Sequence, residues 1–179
     1  MNDLAQLRYR ALEVAALSDD FSGVSFVERS LPSLADDAVV MRVKAVALNY
    51  PDVLMTQGRY QFKPELPFVP GMESSGEVVA VGAAVRAIKP GDRVVAMTRH
   101  GALSEYMVAR EDEVRALPAA LSWEQGAAFS VAGMTAYVAL VNRGQLQPGE
   151  TVLVHGASGG TGLAAVQLGK HLGAKVIAT

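Results

Sequence analysis

Residues 151–155 (Thr-Val-Leu-Val-His) form a short apolar, β-branched run, and 156–162 read Gly-Ala-Ser-Gly-Gly-Thr-Gly. Leu163, Val166, Leu168 and Leu172 follow at helical spacing. A strand, a tight turn and a helix in this order aim several backbone N–H groups and the positive end of a helix dipole at one point. The glycines let a pyrophosphate approach the main chain. The chemistry implied is phosphate binding by Gly156, Ser158, Gly159, Gly160, Thr161 and Gly162. The spacing is G-x-x-G-x-x-G, with Ser158 where the commoner fingerprint has its second glycine, so a turn that only packs a helix onto a strand stands as the alternative. A second strand at 175–179 follows Gly173, which sits where a helix C-cap belongs. An acid that selects NAD by its ribose hydroxyls falls about 20 residues on, at Thr179 or beyond it.

The composition narrows the function classes. The chain has 179 residues, half of them hydrophobic, enough for one good core or two small ones. Sixteen basic and eighteen acidic residues give a net charge of −2, with no basic block to favour nucleic acid or an anionic membrane. Cysteine is absent, which removes disulfides, thiolate metal sites and a cysteine nucleophile. The three histidines, His100, His155 and His171, lie on three different expected elements without metal-ligand spacing. The start of the chain does not read as a leader and no apolar run reaches membrane-spanning length, so a cytoplasmic location, with no membrane partner, is the expectation.

Several elements must position these residues. Runs at 9–14, 24–28, 39–48, 77–81, 93–97, 102–108 and 114–117 read as short strands separated by glycine and proline turns, the pattern of a partly closed β-barrel. One short helix is expected at 51–57, with proline at an early position and Gly58 ending it. After Pro118 the texture becomes helical. Ser122 and Gln125 form a capping box, and 131–141 is a helix with Met134, Val138 and Val141 on one stripe, ended by Gly144. Trp123, Phe129 and Tyr137 are expected in the core. A boundary near 118–125 separates a β-rich domain, 1–120, from the start of a parallel α/β domain, 121–179.

Six ordered motifs now support a resemblance: Leu48-Asn49-Tyr50-Pro51-Asp52, Gln57-Gly58-Arg59-Tyr60, the stretch from Val69 through Gly71-Met72-Glu73 to Val78, Lys89-Pro-Gly91-Asp92-Arg-Val94, Gly133-Met-Thr135-Ala-Tyr137 and the glycine run. In this order they resemble the medium-chain dehydrogenase/reductase superfamily, and within it the zinc-independent quinone oxidoreductase (zeta-crystallin-like) branch. The resemblance implies a fold of class α/β plus β: a GroES-like, partly open barrel on the substrate side and a Rossmann domain holding NADPH, with catalysis in the cleft between. It implies an NADPH-dependent reductase of quinones or α,β-unsaturated carbonyls. An enoyl-thioester reductase and a non-catalytic binding relative remain as alternatives. A homodimer is expected of the full-length form.

The resemblance also assigns residues. Zinc alcohol dehydrogenases hold their catalytic metal with a cysteine and the histidine of a Gly-His-Glu triplet, and Asn49 and Met72 stand at the matching places, so no metal is expected. Glu73 is expected to satisfy buried polar groups. Asn49 matches a family asparagine that touches the nicotinamide or the substrate carbonyl; capping the helix that starts at Pro51 is its other reading. Asp52 is read as structural. Tyr60 matches a tyrosine near the cleft, or else anchors a turn. Thr135 matches a threonine that reaches the nicotinamide half of the cofactor, or else bonds back to its own helix. Ser158, Thr161 and the lack of an acid in 175–179 favour NADPH over NADH. Only two strands of the nucleotide sheet are present, so the 179 residues alone are expected to be inactive and to expose Leu153, Val166, Leu168 and Val176.

Overall fold

The computed structural model describes residues 6–179, so the reading of residues 1–5 as something other than a leader lies outside the described residues. The chain divides into two compact units, one extending to Ala127 and the other running from Ala128 to Thr179.

The first unit is built on β1 (Arg8–Val14), β2 (Val24–Ser30), β3 (Ala38–Ala47), β4 (Glu73–Val81), β5 (Arg93–Met97), β6 (Tyr106–Arg110) and β7 (Val114–Ala116). Five of these make an antiparallel sheet in the order β6-β3-β4-β5-β7, and β1 and β2 form a hairpin. Isolated bridges Ala11↔Ser104 and Val14↔Phe68 tie the hairpin to the loops beside the sheet, which curls the unit into the partly closed barrel. Breaks in the β3–β4 register at Val40/Met41 and Val43/Ala45 supply curvature.

Val39, Met41, Val78, Val94, Ala102 and Met107 anchor the core, each 3% exposed or less. Burial of such a valine or methionine contributes about 1.5–3 kcal/mol. The helix α1 (Tyr50–Thr56) begins one residue before the expected span, with Pro51 in its first turn. The expected strand at 102–108 is instead a turn followed by β6: Ser104 N–H bonds to Ala102 O and Leu103 N–H to Pro70 O. The helix α2 (Trp123–Ala127) belongs to this unit. Its box is formed as expected, with Ser122 N–H to Gln125 Oε1 at 2.9 Å and Gln125 N–H to Ser122 Oγ at 3.2 Å. The Arg93 guanidinium lies 4.3 Å from the Trp123 ring centroid, so this half-buried indole serves as a cation platform.

The second unit contains α3 (Ser130–Tyr137), a widened π-helical continuation over Val138–Arg143, β8 (Thr151–Val154), α4 (Gly160–His171) and β9 (Lys175–Ala178). The strands β8 and β9 pair in parallel across the α4 crossover, the opening of a Rossmann fold. Phe129 and Tyr137, expected in the core, are 67% and 50% exposed, and Met134 and Val138 of the expected stripe are exposed as well. Their apolar side chains lie on a face that nothing in this unit covers. Leu153 is exposed as expected, but Val166, Leu168 and Val176 are half-buried. Here α4 lies close on the strands, Gly169 allowing Val176 and Val152 to approach it. Among the described residues no helix is long and apolar enough to cross a membrane.

Candidate active site

In the first unit the chemistry-bearing groups converge where β3 ends, α1 begins and β4 starts. Asn49 occupies the N-cap position with extended backbone (φ −115°, ψ 154°). Its carbonyl accepts from Asp52 N–H at 2.9 Å, and its N–H donates to Asp52 Oδ2 at 2.8 Å. The Asn49 side chain turns to β4, where Nδ2 donates to Glu73 Oε1 at 3.0 Å. Asp52 Oδ1 accepts a further bond from Gly71 N–H at 3.2 Å. Asp52 and Glu73 are 2% and 1% exposed, so two carboxyl groups and one amide make a nearly dry polar cluster.

Burial pushes the Asp52 carboxyl above its ordinary value. The N–H groups of Asn49 and Gly71 oppose the shift and the Glu73 charge adds to it. Gly71 is required here, since its φ is +97° and a Cβ would come within 2.8 Å of Leu103 N. Tyr60 sits on the neighbouring apolar cluster of Val14, Met55 and Phe68, together with Phe62 and Met72, and its N–H bonds to Leu54 O at 3.2 Å. The partner of Asn49 was not legible in advance. Glu73 was expected to satisfy a buried polar group, and the structure shows that group to be the Asn49 amide.

In the second unit the turn between β8 and α4 closes through Gly159 N–H to Gly156 O at 3.1 Å, with Gly156 at φ +66°. The helical ladder opens with Leu163 N–H to Gly159 O at 2.8 Å, so the amides of Gly160, Thr161 and Gly162 have no acceptor within their own helix. The glycines divide by role. A Cβ at Gly162 would lie 2.2 Å from Gly156 O, so the turn itself demands this glycine. By contrast, a Cβ would meet nothing within 4 Å at Gly156, only Gly156 O at 3.5 Å from Gly159, and only Ala132 Cβ at 3.8 Å from Gly160. Space before the helix N-terminus that no side chain of the unit fills is what a pyrophosphate needs, and the turn fits that group. Ser158 and Thr161 are exposed beside it. Thr135 Oγ1 donates to Val131 O at 2.7 Å, the bond back to its own helix.

Residues 35–119 match the family model described as the alcohol dehydrogenase GroES-like domain. The chain is 37% identical over 180 aligned positions to the quinone oxidoreductase of Sus scrofa, covering all of this chain and 52% of that protein. It superposes on the Escherichia coli quinone oxidoreductase complexed with NADPH with a TM-score of 0.84 and 35% identity, over 94% of this chain and 52% of that one. CurK enoyl reductase superposes equally well, at a TM-score of 0.84 and 29% identity, over 96% of this chain and 53% of that one. The chain thus spans about half the length of the curated relatives it matches. A GroES-like domain running into the start of a Rossmann fold defines a medium-chain dehydrogenase/reductase, and the chain belongs to that superfamily. Within it, the chain is similar to quinone oxidoreductases over about half of their length.

Proposed function

We propose that these residues supply the substrate barrel, 1–120, and the phosphate turn, within 121–179, of an NADPH-dependent, zinc-independent reductase of quinones or α,β-unsaturated carbonyls. The observation that carries this reading is the open glycine turn at the start of α4, in a chain resembling a quinone oxidoreductase complexed with NADPH. NADPH, when bound, supplies a hydride. Gly156, Ser158, Gly159, Gly160, Thr161 and Gly162 hold its pyrophosphate through backbone N–H groups and the helix dipole. Asn49 meets the nicotinamide or the substrate, Tyr60 stands on the substrate side against the Val14, Met55 and Phe68 cluster, and Thr135 belongs to the nicotinamide half. The donor set favours zinc independence: the chain has no thiolate, and among the described residues no three His, Asp or Glu side chains cluster as metal ligands do.

The test is an NADPH titration and a quinone-reduction assay on the 179-residue chain beside a full-length form. Silence from the short chain with NADPH-dependent quinone turnover by the long one is expected. Tighter binding of NADH by the long form overturns the cofactor assignment, and turnover by the 179 residues alone overturns the expectation that they are inactive by themselves. The likeness to an enoyl reductase favours an enoyl thioester as the second substrate to assay.

A further inference from the structure

The geometry points to Glu73 as a positioning residue that decides which end of the Asn49 amide meets a ligand, an inference that rests on the oxidoreductase reading. Both backbone polar groups of Asn49 are fixed by Asp52 at 2.8 and 2.9 Å, leaving the rotation of the amide as the freedom that matters. An amide is nearly symmetric in shape, and only a partner of one polarity can choose its orientation. Glu73 is that partner. It is 1% exposed, paired to Ala47 of β3 on one side and Met97 of β5 on the other, and its Oε1 takes Asn49 Nδ2 at 3.0 Å. A carboxylate has no proton to give, so it holds the N–H2 end and leaves Oδ1 turned away.

Asn49 therefore works as an acceptor. An oxygen cannot bond to a substrate carbonyl oxygen, so of the two ligands open to Asn49 the geometry selects the one with N–H groups to give, a primary carboxamide such as that of the nicotinamide ring. Glu73 touches neither ligand. Its role is to fix the direction of an oxygen that sets the orientation of the cofactor ring.

A charge-swapped pair tests this in the full-length form. Asn49→Asp sets two carboxyl groups face to face and is expected to lose about 100-fold in kcat and several degrees in melting temperature. Adding Glu73→Gln reverses the pair: the glutamine N–H2 now faces the aspartate, and an oxygen is still offered to the ligand. The double variant is expected to regain the melting temperature and to recover kcat to within about tenfold of the starting protein, with the KM for quinone little changed. Recovery of melting temperature without recovery of kcat overturns the proposal, because the N–H2 of Asn49 is then the working group. Failure to recover either overturns the pairing itself. Should Asn49→Asp not fold, the double variant against Glu73→Gln alone gives the same comparison. A starting protein without NADPH-dependent turnover defeats the oxidoreductase reading instead, and the melting temperatures still decide the pairing.

Discussion

The two units use similar residues to different ends. In the first, valines, alanines and methionines of five antiparallel strands, with the hairpin and α2, close around a core in which Val39, Met41 and Val94 have no exposed surface. In the second, Ala136 and Val154 are the buried hydrophobic residues among those described, while Phe129, Met134, Leu153, Leu163 and Ile177 are 45–67% exposed. Topology makes the difference. An antiparallel sheet that curls can cover its own inner face, whereas a parallel strand–helix–strand unit buries one face under its helix and leaves the other bare. A sequence can be equally apolar in both regions and still complete a core in only one.

The sharpest way to break this contrast is to delete core volume in each unit. Met41→Ala should cost about 2–5 kcal/mol, whereas Leu163→Ala, at a side chain that is 51% exposed, should cost less than about 1 kcal/mol. Denaturant melts followed by circular dichroism measure both, and equal losses would mean that Leu163 is as enclosed as Met41.

A smaller effect separates two glycines of one turn. Gly162→Ala forces a Cβ against Gly156 O and should cost about 1–3 kcal/mol, whereas Gly160→Ala meets only Ala132 and should leave stability within about 0.5 kcal/mol. Thermal melts of the two variants check this. Cofactor affinity is expected to fall in both, through a distorted turn in the first and a blocked approach in the second.

The smallest effect concerns the polar cluster of the barrel. Because burial raises the Asp52 pKa above 3.8, the folded state binds a proton more readily than the unfolded one. The stability contributed by this group is complete below 3.8 and is lost as pH rises through the raised value. Asp52→Asn has no charge to bury. Although the change weakens the bonds from Asn49 and Gly71, the stability gap between variant and parent should therefore narrow as pH rises through that window. Melting curves from acid to neutral pH reveal it, and a gap that widens with pH contradicts the sign.

The sequence showed strands best where alternation and turn chemistry agreed. Residues 93–97 form β5 with the expected ends, and the Ser122–Gln125 box formed because its signal is local. Where a strand is buried and polar, the pattern misleads. The expected strand at 77–81 begins at Glu73, because Glu73, Ser74 and Ser75 are satisfied by partners far along the chain rather than by water. Periodicity also failed on the stripe of the helix expected at 131–141, where Met134 and Val138 are exposed, since an apolar residue in a helix says nothing about which neighbour is there to cover it. In the candidate site, the N-cap position of Asn49 and the strand–turn–helix around the glycines were legible by type and spacing. The bond from Asn49 to Glu73 was not, because it depends on how two strands and a helix end meet in space.

The polar opening of β4 also bears on how the chain is made. Glu73 emerges with its partner Asn49 already made, 24 residues earlier, but Ser74 Oγ donates to Met107 Sδ 33 residues later and Ser75 Oγ to Trp123 O 48 residues later. During synthesis at about 5–20 residues per second, Ser75 spends roughly 2–10 s without its acceptor. Hydration must serve these positions in the interval, so the driest polar groups of the barrel are among the last to leave water on the ribosome.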